Sequence, residues 1–568
     1  MERTFGKHIV RKCISLDGAW VFTTDPDKTG KEKGYQKDIP EAKTVFVPGV
    51  WNSELGLLEY EGVCWYQKDF YTEGGTLRFV FGSVMSDAEI YLDGELIATH
   101  YGAFCEFDAI VSGVCSGKHR LCVRADNTID EKSVPQRMVD WYNYGGIARS
   151  VTVETLSGIC ILSNRLEYTL DASLTSADAR LCLEVYNADS TSVNTSLTAE
   201  IDGITLFTDT LTLDGGEKRE ITGEIVKIPD VRLWNIGAPE LYTLKINTDT
   251  DDLYDRIGFR SICVKKGEVL LNGKPIEIRG VNRHDDHPDW GFAFPEGLMI
   301  RDVDIIKNLG CNAVRSHYPN PHAFLDLLDE NGIMFWSEIP IWGNGFSIEA
   351  LADPVILART MQMHRDMVKC YYNHPCITVW GLHNEIRSGS DEAYEMSKLF
   401  YTYLKQNGGD RIVTYASSRP MIDKCFEFCD MICLNMYFGW YDGDKKSWDT
   451  FLEEFSERRD SLGMSDKPVI FSEFGYAALY GVHTFDNIKW SEEYQAQMLG
   501  YCLEAFHKHP MVRGFYIWQL CDMRTSPELG LNRARGFNNK GLLNEYRKPK
   551  AAYFKVKELY EKFAEEEK

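Results

Sequence analysis

The chain of 568 residues is 44% hydrophobic and 26% charged, ordinary figures for a folded protein with room for about three domains. Its 85 acidic against 62 basic side chains leave a net charge of −23, which argues against non-specific binding to nucleic acid or to an anionic membrane surface. No run approaches the ~18 consecutive apolar residues of a membrane-spanning helix. Sixteen cysteines are scattered without a C-x-x-C pair, and the opening MERTFGKHIVRKCISLDGAW has neither an apolar core nor a small-residue cleavage site. The expectation is a reduced, cytoplasmic protein.

Residues 1–157 read as short alternating segments broken by turn residues. In 86-SDAEIYLDGELIATHYGAF-104, Asp93-Gly94 between alternating apolar positions marks a two-residue hairpin. No long segment has helical period, which predicts an all-β sandwich. Residues 158–260 keep the same texture. There 180-RLCLEVYNAD-189, 195-TSLTAEIDG-203 and 241-LYTLKINT-248 alternate with period two, and about 100 residues suit an immunoglobulin-like sandwich. From 261 to 568 the texture changes. Eight short apolar runs (275–284, 311–318, 333–340, 377–385, 412–418, 431–437, 468–475 and 512–520) alternate with helical stretches such as 296-EGLMIRDVDIIKNLG-310 and 491-SEEYQAQMLGYCLEAFHKHP-510. Near-continuous apolar strands are buried on both faces, and eight of them across about 300 residues predict a (β/α)₈ barrel.

In such a barrel, polar groups at the C-terminal strand ends line the active site. Here seven of eight strands end in one: Asn282-Arg283-His284, Arg315-Ser316-His317-Tyr318, Glu338, His383-Asn384-Glu385, Asn435-Met436-Tyr437, Ser472-Glu473 and Trp518-Gln519. One would be a solvated loop start; seven on one rim point to a site. Glu385 and Glu473, ending the fourth and seventh strands, face each other across it. Two such carboxyl groups can split a glycosidic bond, one protonating the leaving oxygen while the other attacks the anomeric carbon or activates a water. They need different pKa values; His383 and Asn384 are expected to give Glu385 a polar neighbourhood. The structural alternative is that both carboxylates are paired with a rim arginine such as Arg315. A metal could draw on His284, His287, His317, His383, Asp285 and Glu338, but no pair has metal-ligand spacing, so neither metal nor other cofactor is expected.

These segments resemble glycoside hydrolase family 2 over essentially the whole chain. The resemblance is carried by 47-VPGVWNSE-54, 64-CWYQKDF-70, 279-RGVNRHDDHPDWG-291, 312-NAVRSHYPNP-321, the WGLHNE ending in Glu385 and 469-VIFSEFG-475. It implies a jelly-roll-like sugar-binding sandwich first, retention of anomeric configuration through a covalent glycosyl-enzyme, Glu385 as general acid/base, Glu473 as nucleophile, and Asn384 on the sugar 2-hydroxyl. Within the family the sequence is most similar to bacterial β-glucuronidases. The element 537-FNNKG-541 implies that Asn538 and Lys540 read a sugar carboxylate. The segment 140-DWYNYGGIARSV-151 makes Asp140 a contact to sugar hydroxyls, 435-NMYFGWY-441 nominates Asn435, Tyr437 and Tyr441, and Trp518 would line the pocket floor. The tail 546-YRKPKAAYF-554 also matches.

The charge pattern agrees with an anionic substrate. A chain of net −23 repels a uronate and needs a local cation, and 524–550 holds many more Lys and Arg than Glu. Taken alone, Asn538-Asn539-Lys540-Gly541 is an ordinary turn. Two departures bear on the sugar's C4 and C6: Met436 stands where the resemblance leads one to look for Arg, and 531-LNRARGF-537 leaves Arg533 or Arg535 as the arginine of the site. The expectation is therefore a retaining exo-β-glucuronidase acting on small-molecule or oligosaccharide glucuronides. A β-galacturonidase is the first alternative, a β-galactosidase the second, and a non-catalytic carbohydrate-binding protein the third. The loop 338-EIPIWGNGFSIEALADP-354 is short, which suggests an open mouth, and the family implies a homodimer or homotetramer.

Overall fold

A computed structural model describes residues 3–40, 42–530 and 533–566. Two all-β sandwiches precede a closed barrel. The first sandwich packs a six-stranded antiparallel sheet (Lys43–Val47, Gly18–Asp25, Val63–Thr72, Gly117–Asp126, Asp87–Leu92, Glu95–Tyr101) on a four-stranded one (Lys12–Ser15, Val151–Leu156, Gly75–Phe81, Phe107–Val114). Trp20, Phe22, Tyr66, Phe79, Ile90 and Val123 fill the space between. The expected hairpin is present: Asp87–Leu92 pairs with Glu95–Tyr101 across Asp93 and Gly94, whose φ of 51° and 91° suit the tight turn that follows strand twist.

The second sandwich joins Ile159–Leu170, Ala177–Asn187 and Lys218–Thr222, with Val226–Ile228 beside them, to Ile204–Leu213, Val193–Ile201, Tyr242–Asn247 and Asp252–Ile257. Period-two patterning sets its faces: in Val193–Ile201 the alternate residues Thr195, Leu197, Ala199 and Ile201 are buried. Fully buried Arg260 ties this sandwich to the barrel, donating to the carbonyls of Pro375 and Ile377 and to Asp410.

The barrel closes through eight parallel strands: β1 (Ile278–Asn282), β2 (Ala313–Ser316), β3 (Met334–Glu338), β4 (Ile377–Asn384), β5 (Ile412–Ser417), β6 (Ile432–Asn435), β7 (Val469–Phe474) and β8 (Val512–Ile517). All eight residues of β4 are buried, as strands covered on both faces require. The outer layer holds α1 (Glu296–Leu309), α2 (His322–Asn331), α3 (Pro354–Tyr371), α4 (Asp391–Asn407), α5 (Lys446–Ser461), α6 (Glu492–Lys508) and α7 (Ala551–Glu566). Side-chain caps set where they begin: Asp353 accepts from Val355 and Ile356 with Pro354 at the first helical position, Ser390 from Ala393, and Ser491 from Tyr494. Between β5 and β6 the described chain forms only a 3₁₀ turn, Phe426–Phe428. No helix among the described residues is long and apolar enough to cross a membrane.

The first sandwich reaches the barrel mouth through the chain after Asp126. Tyr144 donates to Asp286 at 2.8 Å, the Trp141 ring packs on those of His284, His317 and Tyr318, and Arg149 donates to the carbonyl of Pro319 at 2.8 Å. Domain-one side chains are thereby brought to the C-terminal rim.

Candidate active site

Glu473 closes β7, where irregular pairing of β6 with β7 sets Asn435 opposite it. Its Oε1 accepts from Arg315 Nη1 at 2.8 Å and lies 3.4 Å from His317 Nε2, and its Oε2 accepts from the Tyr437 hydroxyl at 2.7 Å. Burial alone would raise its pKa. The bond and charge of His317, the Arg315 guanidinium and the Tyr437 hydroxyl outweigh burial and hold it at about 2. Arg315 is fully buried over the Trp336 ring and also binds Glu338 and the side-chain oxygen of Asn384. His317 Nδ1 meets Glu338 at 2.7 Å, and its pKa is raised because bonds to Glu338 and Glu473 override burial. The arginine network considered from sequence therefore embraces Glu473 and Glu338 but not Glu385.

Glu385 follows β4 with φ of 54°, the left-handed region that a side chain of this size seldom enters. Its N–H is held by the Ala416 carbonyl at 2.9 Å, and Asn435 Nδ2 donates to its Oε1 at 2.7 Å. Burial, then the charge of Glu473, drive its pKa up to about 8. At neutral pH one carboxyl group is thus protonated and the other ionised. The expected help from His383 is corrected: its Nε2 meets Ser397 Oγ on α4 at 2.8 Å and its ring lies against Tyr415, away from Glu385.

Asn384 Oδ1 accepts from Arg315 at 2.8 Å and from Asn435 at 3.0 Å. Since arginine only donates, the oxygen must face it, and the Nδ2 hydrogens are left buried without a partner. Trp518 Nε1 is a second buried donor without a partner, with its ring 5.1 Å from that of His317. Buried orphan donors are uncommon and mark places where a ligand's oxygens can be received.

A basic wall stands beside the carboxylates. Lys540 is 1% exposed; its Nζ donates to the Tyr441 hydroxyl at 2.7 Å and lies 5.4 Å from the Tyr437 ring centre and 5.5 Å from that of Trp440. Burial and the nearby Arg533 hold its pKa well below the usual lysine value. Asn538 Nδ2 and Arg533 Nη2 both donate to Asp140, at 3.0 and 2.8 Å, so the buried Asp140 of the first sandwich sits within this wall. Arg533 and Arg535 part company: Arg535 has φ of 61° and pairs with Glu545 at 2.8 Å, half exposed and outside the cluster. Of the stretch 531–537, residues 531 and 532 lie outside the described residues.

The structure thus brings together Glu385, Glu473, Asp140, Asn384, Asn435, Tyr437, Tyr441, Trp518, Arg533, Asn538 and Lys540, and leaves out Arg535. It adds Trp141 and Trp440, which sit inside the quoted segments without a signal of their own, and gives Glu338 a bridging place between Arg315 and His317. Of the groups weighed as metal ligands, His284 meets the Tyr318 hydroxyl and Asp285 pairs with Arg283, while His317 and Glu338, both in that set, bond to each other. Two groups among the described residues do converge ligand atoms, Asp329/His374/Cys376 and His8/Asp251/Asp252, but neither belongs to the rim cluster. In a cavity of about 630 Å³ between the sandwiches and α3, Arg3, Arg78 and Lys369 are already paired, with Asp326, Asp108 and Glu184.

Comparison with known proteins identifies the family. Residues 262–565 match the family model "Glycosyl hydrolases family 2, TIM barrel domain" and 163–260 match "Glycosyl hydrolases family 2". The chain is 27% identical to the β-glucuronidase of Homo sapiens, covering 98% of this chain and 92% of that one. Among solved structures it is similar to a family 2 β-galacturonidase from Eisenbergiella tayi bound to galacturonate (32% identity, 99% of each chain, TM-score 0.92). It is also similar to the Ruminococcus gnavus β-glucuronidase (27% identity, 99% of this chain and 98% of that one, TM-score 0.87). A barrel of eight parallel strands behind two sandwiches, with paired carboxylates at its rim and a family model matched over more than half its length, places the chain in glycosyl hydrolase family 2, and it is a glycoside hydrolase.

Proposed function

We propose that the chain hydrolyses β-D-glucuronides by double displacement, with Glu473 as nucleophile and Glu385 as acid/base. The observation that carries the mechanism is the split between the two carboxyl groups, one held near 2 and the other near 8. The Glu473 carboxylate attacks the anomeric carbon as Glu385 gives its proton to the leaving oxygen. Glu385, now ionised, takes a proton from the water that attacks the same carbon and releases Glu473. Arg315 and Tyr437 keep Glu473 ionised and oriented, and Asn384 Nδ2 is free to meet the 2-hydroxyl. Lys540, with two ammonium hydrogens beyond the one on Tyr441, and Asn538 would receive the uronate carboxylate. A neutral CH₂OH there would leave a buried cation unpaired. The β-glucuronidases among its relatives support the substrate class.

A β-galacturonide is the second reading, favoured by the higher identity, 32% against 27%, to the Eisenbergiella tayi enzyme than to the Ruminococcus gnavus one. Initial rates on p-nitrophenyl β-D-glucuronide, β-D-galacturonide and β-D-galactoside separate the readings. A dominant glucuronide rate is expected. A dominant galacturonide rate keeps the carboxylate reading and reverses C4, and a dominant galactoside rate overturns both. Glu473→Gln should cut turnover by about 10³-fold or more while an added uronate still raises the melting temperature; surviving turnover would remove Glu473 as nucleophile. Activity should also survive EDTA, and a loss restored by added metal would overturn the metal-free mechanism.

A further inference from the structure

The turn that presents Asn538 and Lys540 is fastened from behind by three buried polar side chains. Lys550, fully buried at the head of α7, spends its three ammonium hydrogens on the carbonyls of Ala478 (2.7 Å) and Asn539 (3.0 Å) and on Asp522 Oδ1 (2.8 Å). Asp522, just after β8, also accepts from the Gly541 N–H at 2.9 Å and from Asn539 Nδ2 at 3.3 Å. Gln495 of α6 directs its amide to the carbonyls of Tyr476 (2.8 Å), Lys540 (3.2 Å) and Gly541 (3.0 Å). The turn lies close against the chain at Asp522: a Cβ on Gly541 would lie 2.2 Å from the Asp522 nitrogen.

The bonds tie the turn to the chain just after β7, the strand that carries Glu473, and to the chain that follows β8. A buried ion pair adds little net stability over an apolar replacement, so stability is a poor reason for this arrangement; what it supplies is fixed geometry. We infer that Lys550, Asp522 and Gln495 are positioning residues for charge selectivity: they set where the Lys540 ammonium stands relative to Glu473 without meeting substrate. The inference rests on the uronide reading above.

The test is steady-state kinetics on the p-nitrophenyl glucuronide, galacturonide and galactoside for the parent chain, Lys550→Met, Lys550→Arg, Gln495→Met and Lys540→Ala. Inhibition constants for D-glucuronate and D-galacturonate against D-glucose and D-galactose give the same ratio without turnover of a neutral glycoside. Displacing the ammonium by about 1 Å should raise the uronide KM by about 10-fold or more in Lys550→Met, with neutral ligands changed by less than about 2-fold. Gln495→Met should act in the same direction and Lys550→Arg should recover part of the loss. Equal losses for charged and neutral ligands, or no loss, overturn the inference. If Lys550→Met does not melt as a folded protein, Gln495→Met decides by the same ratio. Should Lys540→Ala lose charged and neutral ligands equally, the uronide reading itself fails. Should Lys540→Ala be selective while Lys550→Met and Gln495→Met are not, only the positioning inference fails.

Discussion

Glu385 keeps its proton in the folded chain up to about 8, against an ordinary value of 4.5. Between these values the folded state binds more protons than the unfolded one, so stability falls as pH rises through that window. Glu385→Gln removes the penalty. That variant should melt above the parent at pH 7–8, with the difference vanishing near pH 4, while turnover of a poor leaving group falls by about 10²–10⁴-fold. Thermal melts across pH check the first expectation and rates the second. In the parent, kcat/KM should fall as pH rises through about 8, when Glu385 loses the proton that the proposed mechanism has it donate. Lys540 is the opposite case. Burial, then Arg533, depress its pKa, and a uronate carboxylate beside it would restore it. Uronate binding in alkaline solution should therefore take up protons, seen as a calorimetric heat that varies with the buffer's ionisation enthalpy, whereas a neutral sugar should show none.

At the scale of the element, two close approaches hold the strand ends in place. A Cβ on Gly343 would lie 2.0 Å from the Glu385 carbonyl oxygen, and one on Gly475 would lie 2.0 Å from that of Trp518. Gly343→Ala should cost about 1–3 kcal/mol of stability and more than about 10-fold in kcat, because the displaced peptide carries the proposed acid/base; melting and kinetics check both. The eight barrel strands were legible as apolar runs because burial on both faces leaves no room for polar alternation. The rim residues were legible because a strand buried along its length can place polar side chains only at its end. His383 was misjudged for a physical reason. Residues two apart on a strand share a side, so His383 and Glu385 should point together, but the positive φ at Glu385 turns it off the strand, and glutamate gives no hint of that conformation. The same holds for Arg533 and Arg535, split by the positive φ of the latter. Lys550, Asp522 and Gln495 were invisible because their partners are mostly backbone atoms, which sequence does not distinguish.

Across the whole molecule, the site is shared between domains that lie far apart in sequence. Asp140 comes from the first sandwich, while its partners Arg533 and Asn538 follow β8, nearly 400 residues on. Asp140→Ala should lower uronide kcat/KM by about 10–100-fold and cost about 1–3 kcal/mol of stability, since it leaves two buried donors, one of them charged, without their acceptor in the site; kinetics and a thermal melt decide. Further contacts hold the sandwich to the rim, among them Tyr144 on Asp286 and Arg149 on the Pro319 carbonyl. A ligand seated between Asp140 and the barrel carboxylates then touches both bodies at once, and whatever binds only the assembled form stabilises the assembly. Amide hydrogen exchange along 128–146 should slow when the site is occupied, although most of that segment never meets the sugar. On the proposed placement of substrate, the Asp140 crossing would make the substrate a fastener between domains, and an empty molecule should come apart at this seam first.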